Sequence, residues 1–389
     1  MNTPHFHGTS GFLSLFNHLL NLPTVSSANP ALDQSNLAVI NLLAEVFEQL
    51  GFSCELIPVS DSPPKANLIA TFGSGSGGLV LSGHTDTVPF DEALWQHDPL
   101  KLTEKDDRLY GLGSTDMKGF FAVIYAALEP LLRQELKFKQ PLIILATADE
   151  ESSMNGARTL AKLGKPKARY AVIGEPTGLK PINMHKSIMM ETIRIQGQSG
   201  HSSNPALGKN ALEAMHEVIS ALLNFTQQLQ ADYQNPHFAV DIPTMNLGVI
   251  HGGDNPNRIC GHCELEFDVR LLPGMANDSI RESISKLVKP IASKYQTKIS
   301  LTSLFPGVEA FENQDSELVK IAEKLTGHSA MSVAFGTEAP FLQELGMDTI
   351  VLGPGSIDLA HQPNEYMAVN QVQPAITIIQ DLVKRCCLT

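Results

Sequence analysis

Gly78-Leu79-Val80-Leu81-Ser82-Gly83-His84-Thr85-Asp86 is the stretch on which the fold of this chain turns. A short apolar run, Gly78 to Ser82, leads into His84 and Asp86, two side chains able to hold a cation or move a proton. The same form recurs along the chain. Pro141 to Ala146 leads to Asp149, Glu150 and Glu151, Tyr170 to Gly174 leads to Glu175, and Thr349 to Leu352 leads towards His361. Each run has the length of a strand buried on both faces, and segments with helical spacing, such as Met117 to Leu132, lie between some of them. The pattern predicts an α/β sheet, mixed but mostly parallel and flanked by helices, whose strand ends share one rim. Folds of this kind place their sites there.

Between 184 and 302 the pattern changes. Ile193 to Ile195 reads as a strand, Asn210 to Phe225 as a helix, and Met245 to Ile250 and Glu264 to Leu271 as strands. A helix over Asp278 to Lys294 and a strand over Lys298 to Leu301 complete a β-α-β-β-α-β order, which suggests a ferredoxin-like α+β unit. It interrupts the polar strand ends, so the expected division is 1–183 with 303–389 for one domain and 184–302 for an insertion. Gly73-Ser74-Gly75-Ser76-Gly77-Gly78 precedes a strand and lacks the Gly-Lys-Ser/Thr of a phosphate loop, so it reads as a hairpin turn.

Composition narrows the function. A chain of 389 residues exceeds what one hydrophobic core serves, and a net charge of −13 argues against nucleic acid as a partner. Five cysteines cannot frame a chain of this length with disulfides, and an odd count suits a reducing compartment. Cys260 and Cys263 have no second pair to complete a structural zinc site and read as strand-edge thiols. Phe12, Leu13, Phe16, Leu19 and Leu20 recur at helical spacing, with no Lys or Arg before them, as in an amphipathic helix and not a signal peptide. No apolar run reaches the ~18 residues of a membrane span. The expected protein is cytoplasmic, with no membrane association.

The polar strand ends, with Asp116 added, give His84, Asp116, Glu151, Glu175 and His361, flanked by Asp86 and Glu150. Two imidazoles and three carboxylates suit zinc or a neighbouring divalent ion and disfavour a thiolate site. One Asp can bridge two cations, leaving each a His and a Glu, with coordination open for water. Each residue also has a plainer explanation. A strand-end acid commonly faces solvent, and Asp116 before Met117 could cap a helix. Spacing alone reaches a metalloenzyme and stops.

His84-Thr85-Asp86, Gly113-Ser114-Thr115-Asp116-Met117-Lys118-Gly119, Thr147-Ala148-Asp149-Glu150-Glu151, Gly174-Glu175-Pro176-Thr177 and the late His361 follow one another in an order that resembles the co-catalytic zinc family of aminoacylases, carboxypeptidases and desuccinylases. The resemblance spans essentially the whole chain and implies a two-metal amide hydrolase with an inserted lid. Ile195 to Ser203, His251 to Asp254, Asn257 to Cys260, Gly336 to Ala339 and Gly353 to Ser356 add a likeness to bacterial members that deacetylate an N-acetylated amino acid. On this resemblance His84 and Glu175 hold one ion, Glu151 and His361 the other, and Asp116 bridges them. The ions would be Zn2+, two per subunit, or Co2+. Asp86 would hydrogen-bond the ring of His84, and Glu150 would be the general base. From the lid, His201 would donate to the developing oxyanion and Arg258 would bind the substrate carboxylate. A small-molecule substrate and a homodimer paired through the lid are implied as well. Desuccinylation or dipeptide cleavage is the alternative within the family, and a metal-binding interaction protein without turnover is the alternative outside it.

Overall fold

The computed structural model describes residues 8–134 and 136–388. The chain divides into two compact units. Unit 1 is Met1–Asn183, Asn313–Met331 and Thr337–Thr389, and unit 2 is Met184–Glu312 with Ser332–Gly336.

In chain order, unit 1 begins with helices α1 (Gly8–Leu20) and α2 (Leu37–Gln49) and strands β1 (Ser53–Asp61), β2 (Pro64–Phe72) and β3 (Leu79–His84). Helix α3 (Lys118–Leu132), strand β4 (Leu142–Thr147), helix α4 (Asn155–Leu163) and strand β5 (Tyr170–Pro176) follow. Unit 2 supplies β6 (Met189–Gln196), α5 (Ala211–Asp232), β7 (Thr244–Gly252), β8 (His262–Arg270), α6 (Asn277–Tyr295) and β9 (Lys298–Ser303). The return to unit 1 carries α7 (Glu317–Thr326), α8 (Ala339–Glu344), β10 (Asp348–Gly353) and α9 (Val369–Val383).

The sheet of unit 1 runs β1-β2-β4-β3-β5-β10. β3 is parallel to both β4 and β5, β10 is parallel to β5, and β1 and β2 form the antiparallel margin. β3, β4 and β5 are buried at every position, which is why their sequences are continuous apolar runs without alternation. α3 explains one face. It is buried nearly all round because it lies against β3 with α1 and α9 on its other side. Parallel pairing in register, His84 opposite Thr147, brings the carboxyl ends of β3 and β4 to one rim, as expected.

The glycine-rich run between β2 and β3 is not a hairpin turn, because β4 lies between those two strands. The run must cross the end of β4 to reach β3, and it passes so close that a Cβ on Gly78 (φ +88°) would collide with the Pro141 carbonyl. Hydrophobic periodicity marks strands but does not say which are neighbours.

Unit 2 is a four-stranded antiparallel sheet in the order β7-β8-β6-β9, with α5 and α6 packed together over it. This is the ferredoxin-like order that the sequence pattern predicts. β8 alternates, turning Cys263, Leu265, Phe267 and Val269 into the core. All five cysteines are free thiols, and Cys260 and Cys263 are buried. Unit 2 continues to Glu312 and does not end at 302. Beyond β9 the chain still pairs with the start of β6 and the residue before it, through Leu304 to Met190 and Val308 to Ile188. These are backbone ties with no apolar repeat to announce them. No helix among the described residues is long and apolar enough to cross a membrane.

Candidate metal centre

All seven polar residues that the sequence singles out in unit 1 stand at the rim of its sheet. His84 closes β3 with its ring about 1% exposed. Its Nε2 lies 2.9 Å from Oδ1 of Asp116 and 3.9 Å from Oε1 of Glu175. The other oxygen of Asp116, Oδ2, lies 3.4 Å from Nε2 of His361. That same His361 nitrogen is 3.0 Å from Glu151 Oε2. Asp116 therefore gives one oxygen to each histidine. Glu175 stands on the His84 side and Glu151 on the His361 side. Glu150 converges with His84 and Glu175, one donor atom from each lying within 4.8 Å of the others, and His84, Asp116 and Glu151 converge in the same way.

So many acids in one dry volume shift their protonation. Burial, then Glu175, pushes Glu150 well above the ordinary carboxylate range. Burial and then Asp116 do the same to Glu175, and raise Glu151 to about 7. Burial would raise Asp116 too, but its bonds to His361 and His84 outweigh it and hold the carboxyl well below its usual range. Asp116 and Glu151 together lift His361 to about 10. Protons here occupy places a cation can take, since metal binding requires deprotonated ligands and releases protons. Oε1 of Glu175 is buried without a hydrogen-bond partner among the described residues, an orphan acceptor that a cation would satisfy. The nitrogen and oxygen donor set thus fits one or two divalent ions of the zinc type.

The supports differ from expectation in one place. His84 Nδ1 meets the backbone carbonyl of Asp86 at 3.0 Å, while the Asp86 carboxylate is 3.7 Å away. That carboxylate instead accepts the backbone N–H of Glu150 (3.3 Å) and of Glu151 (3.0 Å). Asp86 holds the two glutamates in place through their main chain, and the ring of His84 is fixed by a peptide group. On the other side, Asp149 (φ +62°) is bound by the buried ammonium of Lys65 and by the Ser26 hydroxyl.

Three buried residues next to the site escaped sequence reading: Lys65, Glu338 and Glu365. Glu338 accepts the Thr147 hydroxyl at 2.9 Å, and burial raises its carboxyl to about 7. Glu365 accepts three backbone N–H groups of the Gly113–Asp116 loop. A loop acid such as Glu365, and a lysine near the start of a strand such as Lys65 in β2, are ordinarily solvated, so nothing in the sequence context of these two marks them. Glu338 alone lay within a segment quoted for the family resemblance.

His201 and Arg258 belong to unit 2 and meet each other across an isolated antiparallel bridge. Nδ1 of His201 accepts the Ser203 N–H at 3.2 Å, and Arg258 is paired with Asp254 at 2.6 Å. Both side chains are exposed.

Comparison with known proteins gives a family and a set of close relatives. The model of peptidase family M20/M25/M40 matches residues 80–385. The chain is 47% identical over 377 residues to an acetylornithine deacetylase of Pectobacterium carotovorum, covering 97% of this chain and 98% of the relative. It is 48% identical over 378 residues to an acetylornithine deacetylase of Edwardsiella ictaluri, with the same coverage. Among solved structures, an M20 family metallo-carboxypeptidase from Sulfolobus solfataricus superposes with a TM-score of 0.74 at 18% identity, over 96% of this chain and 98% of the other.

Proposed function

Because the chain belongs to peptidase family M20/M25/M40 and is a hydrolase, we propose that it cleaves N2-acetyl-L-ornithine to L-ornithine and acetate, using two divalent ions, zinc or cobalt. The substrate rests on relatives of that name along 97% of the chain. The two-ion chemistry rests on one observation, the division of the Asp116 oxygens between His84 and His361. His84 and Glu175 would hold one ion, Glu151 and His361 the other, and Asp116 both. When bound, the ions acidify water and polarise the acetyl carbonyl.

The chain's own residues do the rest. Glu150, raised by burial beside Glu175, takes a proton from the attacking water and returns it to the departing amine nitrogen. Asp86 keeps Glu150 and Glu151 in their separate roles by holding both backbone N–H groups. His201 donates a hydrogen bond to the oxyanion, and Arg258 binds the α-carboxylate of the substrate. A homodimer joined through unit 2 brings the lid of one subunit to its partner. The reaction supplies ornithine for arginine synthesis in the cytoplasm, a compartment in keeping with five free thiols.

Activity on acetylornithine, succinyl-diaminopimelate and a dipeptide, measured side by side, tests the substrate. Acetylornithine is expected to be hydrolysed fastest, and a preference for either rival reassigns the protein within its family. Chelation is expected to abolish turnover and added zinc or cobalt to restore it. Full activity in protein shown metal-free by elemental analysis would overturn the two-ion chemistry.

A further inference from the structure

Glu365 is about 2% exposed and lies four residues beyond His361. Its Oε1 accepts the backbone N–H of Thr115 at 2.7 Å and of Asp116 at 2.9 Å, and its Oε2 accepts that of Gly113 at 3.1 Å. The main chain adds to the grip. The Glu365 carbonyl accepts the Gly111 N–H at 3.1 Å, and the Thr115 hydroxyl donates to the Tyr366 carbonyl at 2.7 Å. Three N–H donors around one carboxylate make a concave anion cradle of the kind successive peptide groups form, here filled by a side chain of the same protein.

The three N–H donors satisfy carboxyl oxygens that burial would otherwise leave without partners. The arrangement suits no other side chain. A glutamine has a single acceptor oxygen, so its NH2 would face one of the three donors. The bonds fix the peptide N–H of Asp116 itself, so they fix where its side chain starts. They also tie that loop to the segment carrying His361. Asp116 and His361, far apart in sequence, are held as one piece.

We infer that Glu365 is a positioning residue for the shared carboxylate. It touches neither ion nor substrate, and sets the orientation of Asp116 that lets one oxygen face each histidine. The inference rests on the two-ion reading of the site. Its consequence is unequal. The ion beside His84 and Glu175 keeps its other ligands when the loop loosens, whereas the ion beside His361 depends on both sides of the tie.

Glu365→Gln tests this in the full-length protein, stripped of metal and titrated with Zn2+ against a chromophoric chelator. The wild-type protein is expected to bind two ions. In the variant, one ion is expected to bind with near wild-type affinity and the other roughly 10–100-fold more weakly, the usual effect of losing an outer partner of a metal ligand. The thermal midpoint of the metal-free proteins is read alongside. A lower midpoint with two unchanged affinities would make Glu365 merely structural and overturn the inference. Should Glu365→Gln not fold, Glu365→Asp keeps the carboxyl group, shortens the reach and is read by the same titration. Unchanged binding of both ions in that variant overturns the inference equally. A wild-type protein that binds fewer than two ions fails earlier, and removes the two-ion reading together with the inference.

Discussion

Glu150 and Glu151 are neighbours in the chain with different companions in space. Glu151 faces His361 and Asp116, while Glu150 converges with His84 and Glu175. If Glu150 is the general base, Glu150→Gln lowers kcat by roughly 10²–10⁴ and leaves the metal content unchanged. Elemental analysis beside steady-state rates checks this, and a variant that lost an ion yet kept its turnover per bound ion would reverse the two roles. A second residue answers to pH. Burial holds the His185 ring at about 4, and Nδ1 donates to the Lys186 carbonyl. The unfolded chain protonates this ring near 6.5, so between pH 6.5 and 4 the unfolded state carries the extra proton. The stability His185 contributes is whole above pH 6.5 and falls as pH drops towards 4, by up to about 3 kcal/mol. Urea unfolding of the metal-free protein at pH 7 and 4.5 reads most of the loss, and His185→Gln is expected to reduce the difference by about 2 kcal/mol.

At the scale of elements, the rim depends on how closely α3 approaches the sheet. Gly174, one residue before Glu175 on β5, sits so near the Phe120 ring of α3 that a Cβ there would overlap it. Gly174→Ala therefore forces the helix or the strand aside and is expected to cost about 1–3 kcal/mol, the range for overpacking a tight core. A lower urea midpoint with unchanged denaturant slope would report it, and an unchanged midpoint would show that Phe120 moves freely. These elements were legible in the sequence because burial on both faces writes an unbroken apolar run, and because a parallel sheet sends its polar endings to one side. Adjacency was not legible. The glycine run before Leu79 looks like a hairpin from composition alone, and only the insertion of β4 shows that it is not. Nor could the sequence show that Asp86 spends its carboxylate on peptide groups, or that Glu365 lies buried among them. Both depend on backbone N–H directions, which side-chain type does not encode.

At the scale of the molecule, the candidate ligands are all in unit 1 and the two candidate substrate contacts are in unit 2. If His201 serves the oxyanion, His201→Ala costs about 2.7–4 kcal/mol of transition-state stabilisation, the usual worth of one such donor, while metal binding stays normal. The dimer proposal adds a sharper expectation. Inactive His201→Ala subunits exchanged with inactive Glu150→Gln subunits regain activity, because each mixed dimer then holds one site with neither defect. Mixed dimers isolated without activity would confine His201 to its own subunit or remove it from the reaction.

The path of the chain through its sheet also sets an order in time. β10 completes the parallel core beside β5, yet all of unit 2 lies between them in sequence. On a ribosome the four-stranded antiparallel unit emerges whole, with every partner it needs, before the larger sheet has its last parallel strand. His84, Asp116, Glu151 and Glu175 are by then long synthesised, while His361 and the Glu365 that steadies Asp116 are still to come. The acids of the rim are therefore made before the imidazole of His361 and the tie that organise them, and if two ions bind as proposed, the place of the second is completed only once His361 and Glu365 have been synthesised.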